Sequence, residues 1–202
     1  HGQGVAQDFT AAREWYEKAA AQENASAQNN LGYLYLRGGD GVPQDYTAAR
    51  NWFEQALAQN QAFAPFNLGV VYLNGLGVTQ NLAAAREHFE SAAANTQACE
   101  AATECYRTDA DQGDAQAQHV MGYLYHHGIG VAQHDATARE WYEKASDQGH
   151  CLAQASLEGL EAVGEAAASE EHNLPDGPSA SNSSKLKSKS DKKRKKRGGK
   201  KR

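Results

Sequence analysis

The chain has 202 residues, 40% of them hydrophobic, with a formal net charge of −5 and three cysteines. That length supports one substantial core, and so few cysteines exclude a disulfide framework and suit a reducing compartment, which favours a cytoplasmic or nuclear location. The charge is unevenly divided: residues 185–202 hold 12 Lys or Arg and one Asp, net +11, which leaves 8 basic and 24 acidic groups, net −16, in the other 184 residues.

The chain opens in a glycine loop, His1-Gly2-Gln3-Gly4, so it reads as a fragment that starts partway through a structural unit. Residues 9–21 are predicted to form a helix after the N-cap candidate Asp8. Residues 26–37 follow as a helix with Ala27, Leu31 and Tyr35 on one face, and Gly38 and Gly41 supply its stop and turn. Asp45 then caps a helix over 46–58, in which Ala49, Trp52, Phe53 and Ala56 keep the i, i+3, i+4, i+7 spacing of a buried face. Pro65 is tolerated only in a first helical turn, so the next helix starts near Ala64. Asn81 caps a helix over 82–94. Residues 95–110 carry extra sequence, in which Thr103-Glu104-Cys105-Tyr106 resembles Arg13-Glu14-Trp15-Tyr16. A second copy of the preceding helix, or one long helix over 82–111, fits equally. Helices over 115–127 and 137–148 follow; His134 stands where the other units have Asp or Asn, with Asp135 one step later, which predicts a shifted start. Residues 151–163 begin another helix with no second helix after it, as a C-terminal cap would.

These elements repeat. Gly-Val pairs begin at Gly4, Gly41, Gly77 and Gly130, in steps of 37, 36 and 53. Trp15, Trp52, His88 and Trp141 keep the same steps, and a mid-helix glycine recurs at Gly32, Gly69 and Gly122. A helix-interior glycine costs about 1 kcal/mol against alanine, so its recurrence points to close approach of the partner helix. Trp15, Trp52 and Trp141 are expected in the core.

The repeated string A-x-x-x-L-G-x-x-Y-x-x-G-x-G-V-x-x-D-x-x-x-A-x-x-W-Y-x-x-A, with three aligned copies and a half copy across residues 1–163, resembles the Sel-one-like repeat (SLR) family, a relative of the tetratricopeptide repeats. The resemblance implies an all-α fold, a right-handed α-solenoid of antiparallel helix pairs, acting as a non-catalytic adaptor or scaffold for a peptide or protein partner. The expected domains are the solenoid over 1–164, a flexible linker over 165–184 and a disordered basic tail over 185–202. Within the solenoid the units lie near 25–60, 61–112 with the inserted helix, and 113–149, before the capping helix 151–163.

In such arrays the first helix of each pair lines the concave side. Counted from the repeat glycine, Asn29, Tyr33, Phe63, Phe66, Val70, His119, Tyr123 and His126 would form a partner-binding stripe; the bland alternative is that Phe63 and Phe66 pack between neighbouring helices. His119, His126 and His127 share one predicted helix, but no carboxylate or cysteine stands at ligand spacing, so they read as surface histidines, with no metal and no cofactor expected. No G-x-S-x-G, H-E-x-x-H or P-loop motif is present, and no catalytic residue is assigned. Cysteine-rich relatives of the family have been linked to β-lactam binding through a cysteine pair in each repeat; these repeats lack those pairs. An enzyme of that type, or a targeting module of a larger enzyme, stays as the alternative. Lys192, Lys193, Arg194 and Lys195 match a nuclear import signal, and the same charge would hold nucleic acid phosphates without sequence preference. No transmembrane segment is evident, and the oligomeric state is open.

Overall fold

The computed structural model describes residues 8–172, and among them the chain is a stack of α-helices without a strand. Helix α1 spans Phe9–Ala20, α2 Ala25–Arg37, α3 Tyr46–Ala58, α4 Ala64–Asn74 and α5 Leu82–Ala93; α6 spans Thr96–Asp111, α7 Ala115–His127, α8 Asp135–Asp147 and α9 Cys151–His172. The pairs α2/α3, α4/α5 and α7/α8 are the repeat units, each an antiparallel A helix and B helix in close contact. The expected α-solenoid is the observed architecture.

Local chemistry sets the helix starts. The side chains of Asp8, Asn24, Asp45, Asn81, Asn95 and Asp114 each accept a hydrogen bond from the third backbone N–H of the helix they precede. His134 does the same through Nδ1, accepting from Thr137 N–H at 3.1 Å, so the cap of α8 stays at His134, in register with the other B helices, instead of moving to Asp135. The loop between A and B helices is fixed at its end by the repeat tyrosine. The carbonyls of Tyr35, Tyr72 and Tyr125 accept from the N–H groups of Asp45, Asn81 and His134 at 2.9, 3.0 and 2.9 Å.

The repeat glycines have a packing reason. A Cβ on Gly32 would lie 2.7 Å from the Phe53 ring, and one on Gly69 would lie 2.8 Å from the Phe89 ring; at Gly122 it would strike Tyr142. Each A helix therefore rests on one aromatic ring of its B helix, with alanines one turn away on either side: Ala49 and Ala56, Ala85 and Ala92, Ala138 and Ala145. The buried ring is the residue after the repeat tryptophan. This corrects the expectation for the tryptophans: one residue is about 100° of helix, which turns Trp52 and Trp141 to a half-buried flank and leaves Trp15 68% exposed. Two of the rings carry a lysine ammonium over one face, Lys18 Nζ over Trp15 at 4.8 Å and Lys144 Nζ over Trp141 at 4.0 Å.

The extra sequence is a separate helix, α6, broken from α5 at the Asn95 cap. It packs along α7 in the way that α1 packs on α2 and α8 on α9, so it stands in for a B helix ahead of the last unit. Helix α9 runs to His172, eight residues past the expected boundary at 164, because Ala, Glu and Ser in 165–172 are tolerated in a helix and no proline interrupts them. The linker expected over 165–184 therefore begins in helix; its remainder and the basic tail lie outside the described residues.

Candidate functional site

Helix α6 decides which part of the inner, A-helix face is open. Its Tyr106 is buried against Phe66 of α4, with ring centroids 5.4 Å apart, and edge-on to Tyr33 of α2 at 6.2 Å. The Tyr106 hydroxyl donates to Asn67 Oδ1 at 3.3 Å, and Asn67 Nδ2 donates to Asn29 Oδ1 at 3.0 Å, so a buried polar chain joins α6, α4 and α2. At its C-terminal end Asp109 accepts from the Tyr33 hydroxyl at 2.5 Å and pairs with Arg37 at 2.9 Å; Arg37 also reaches Asp114 at 3.2 Å. Burial, and then the bond to Asp109, push the Tyr33 phenol far above its ordinary pKa, which keeps it a donor.

The positions expected to bind a partner are thus mostly filled from within. Phe66 and Val70 are inaccessible core residues, Asn29 is closed under Asn67, and Tyr123 is buried against Phe89 at 5.5 Å. Phe63 is half-buried against the central core. The expectation fails at these residues because it treated the array as regular, and the inserted helix and the neighbouring rings cover what a regular array would expose. Tyr33 is half-buried as well, and it lines the open edge beside α6.

The histidines also differ from the surface reading. His119 is 2% exposed and ties three elements together. Its Nδ1 lies 2.7 Å from Asn74 Oδ1 at the end of α4, and its Nε2 lies 3.3 Å from Ser156 Oγ of α9. Burial, with His150 beside it at 4.8 Å, pushes its pKa down to about 3, so it is neutral. His126 is half-buried, with Nδ1 2.8 Å from Asp135. Among the described residues no group of three or more His, Cys, Asp or Glu side chains converges on a metal-sized site, and no helix is long and apolar enough to cross a membrane. Lys192, Lys193, Arg194 and Lys195 lie outside the described residues.

What stays open is a cleft of about 1110 Å³ at the N-terminal end of the inner face. Its floor is α2, with Asn30, Tyr33, Leu34 and Arg37; one wall is α1, with Phe9, Ala12 and Tyr16; the other is α6, with Ala101, Glu104, Cys105 and Asp109. Partial desolvation, and then the nearby Asp109 carboxylate, raise the Cys105 thiol pKa, the reverse of what a nucleophilic cysteine needs. The lining mixes aromatic and aliphatic side chains, such as Phe9, Tyr16, Tyr33 and Leu34, with polar and charged ones, such as Asp8, Asn30, Arg37 and Glu104, a combination open to contact with a polypeptide. Sequence reasoning missed the α6 wall; the echo of Arg13-Glu14-Trp15-Tyr16 in 103–106 puts Tyr106 at the position of Phe53, Phe89 and Tyr142, which the structure shows to be the inward rings.

A family model described as the Sel1 repeat matches residues 1–24, 25–61, 62–96 and 115–150. The stretch it passes over, 97–114, is almost all of α6 and the turn after it. Among solved structures, a protective antigen present in uropathogenic Escherichia coli strains, displaying an SLR fold, is 31% identical with a TM-score of 0.44, over 77% of this chain and 37% of that one. A Sel1 repeat protein from Oxalobacter formigenes is 29% identical with a TM-score of 0.44, over 77% of this chain and 50% of that one. The chain spans half or less of the length of either. No curated protein matches it. Four matched repeats, each seating an aromatic B-helix residue at the same step and three of them setting that ring on the A-helix glycine, show that the chain belongs to the Sel1 repeat family.

Proposed function

We propose that this chain is a non-catalytic interaction scaffold that holds a segment of a partner protein in the cleft between α1, α2 and α6. Sel1 repeat proteins are generally protein-interaction scaffolds, and the family is typically non-catalytic. The observation that carries the finer reading is the contrast along the inner face. Phe66, Val70 and Tyr123 are sealed by the protein's own side chains, whereas Tyr16 and Tyr33 face open space across the cleft. Aromatic rings that keep one accessible face give large contact area at low entropic cost.

The test is affinity capture with the full chain and two variants. Ala12→Glu places a charge in the cleft wall, and Ser91→Glu places one on the exposed side of α5. A partner retained by the wild type and Ser91→Glu but lost with Ala12→Glu is the expected result. Equal recovery by all three refutes the assignment to the cleft.

A further inference from the structure

The chemistry of the helix caps changes along the chain. Helices α1, α2, α3, α5, α6 and α7 each start on an Asp or Asn side chain, but α8 starts on His134, and at the start of α9 the Nδ1 of His150 accepts from the Ala153 N–H at 3.3 Å. An amide cap takes up no proton, and a carboxylate ordinarily does so only near about pH 4. An imidazole ordinarily titrates near about pH 6.5. A proton on its Nδ1 turns the acceptor into a donor and sets a cation against the positive end of the helix.

His150 does not stand alone. Its ring centroid lies 4.8 Å from that of His119, the buried residue of α7 that reaches Ser156 of α9 through Nε2 and Asn74 of α4 through Nδ1. The Tyr142 ring of α8 stands 5.6 Å from His119 on a further side. Asn74, Ser156 and Tyr142 carry no charge to offset a proton at His119, and a proton there would put two cations side by side if His150 also took one.

We propose that His150 and His119 form a proton-sensitive clasp that docks α9 on the solenoid at neutral pH and frees it on mild acidification. The inference does not depend on the cleft. Burial lowers the proton affinity of both rings, and at His119 the neighbouring His150 lowers it further. Freeing α9 removes Ser156 from His119 and opens both rings to water, where the ordinary value is about 6.5. The freed state then binds more protons than the docked one, so docking weakens as the pH falls through that value.

The other groups around the clasp do not cancel it. Asp114, in the turn before α7, favours a proton on His150, but its carboxylate is shared with the Ala117 N–H at 2.7 Å and Arg37 at 3.2 Å. The side-chain contacts between α8 and α9, Arg139 to Glu161 at 2.9 Å and Ser146 to Gln154 at 2.8 Å, contain no imidazole. Helix α8 is held differently. His126 of α7 pairs with Asp135 at 2.8 Å, and a proton on His126 strengthens that contact while one on His134 weakens the cap. Acid therefore acts selectively on α9, and its release uncovers one side of the apolar cluster of Ala138, Tyr142, Ala145 and Ala153.

The test is hydrogen exchange of the full chain followed by mass spectrometry at about pH 7.5 and about pH 5.5, with protection corrected for the intrinsic rate at each pH. Protection of residues 151–163 is expected to fall at least roughly tenfold more than that of residues 46–58. His150→Asn supplies the cap that Asn24 and Asn95 supply elsewhere and removes the titrating ring, so its fall should be at least roughly threefold smaller than that of the wild type. Parallel falls in the two segments overturn the inference, because acid then loosens the whole array. A His150→Asn chain as steep as the wild type also overturns it. Should that variant fail to fold by circular dichroism, imidazole ¹H–¹⁵N spectra of the wild type decide. A bare His150 Nδ1 that gains its proton as protection of 151–163 is lost supports the clasp; an Nδ1 protonated already at about pH 7.5, or one that gains its proton with protection intact, refutes it.

Discussion

Gly69→Ala separates two explanations of the repeat glycine by the sign of its effect. On helix propensity alone the substitution stabilises, by about 1 kcal/mol. The structure predicts the opposite. The new Cβ would sit 2.8 Å from Cδ1 and Cε1 of Phe89, whereas carbon atoms pack at about 3.5–4.0 Å, so the ring would have to retreat by roughly 0.7–1.2 Å. Phe89 is fully buried, with the Phe66 ring at 5.2 Å and the Tyr123 ring at 5.5 Å, so it has no space to retreat into. Overpacking of this kind costs about 1–3 kcal/mol. Three ring atoms lie within 3.0 Å of the added carbon, which places the cost in the upper part of that range and leaves a net loss of about 1–2 kcal/mol after the propensity gain. For a chain of this size that lowers Tm by roughly 2–8 °C in a circular dichroism melt. A partner change, Phe89→Leu, should remove most of the penalty, so the double variant should be less destabilised than the sum of the two single changes. An unchanged or raised Tm in Gly69→Ala refutes the seating of the ring on the glycine.

Two further outcomes follow from burial. Trp15→Ala should change stability by less than about 0.5 kcal/mol, because the ring is 68% exposed, whereas Phe53→Ala should cost about 3–5 kcal/mol; comparable effects in chemical denaturation would overturn the inward ring assignment. His119 has a folded pKa of about 3 against about 6.5 unfolded, so between those values the unfolded chain binds more protons and stability falls as the pH falls. The loss from this one group is about 2 kcal/mol between pH 6.5 and 5, and melts of His119→Gln over that range should show a flatter pH dependence; an unaltered slope excludes His119 as the group responsible.

The parts of this fold that could be read in advance are local. Asp8, Asp45 and Asn81 cap helices because the interaction spans three residues, and the A/B alternation follows from apolar spacing within a single turn or two. The repeat glycine and its alanines were likewise legible, since each is defined within one unit. Trp52 was misplaced by one residue because Trp and Phe are adjacent and both apolar, and only the approach of Gly32 to Phe53 decides which ring turns inward. The inner face was harder still. Tyr33 meets Asp109 across 76 residues of sequence, so nothing near either residue announces the contact. The burial of His119 is hidden for the same reason: its partners Asn74 and Ser156 lie 45 and 37 residues away in sequence.

The reach of α6 alters how such an array comes apart. In a linear stack each unit is held only by its neighbours, and melting can advance from an end one repeat at a time. Here a single helix grips α2 through Tyr33 and Arg37, α4 through Phe66 and Asn67, and α7 along its length. Losing the second unit strips the Asp109 contacts from α6, and a loosened α6 uncovers both α4 and α7. The units α2/α3, α4/α5 and α7/α8 are thereby joined into one cooperative block.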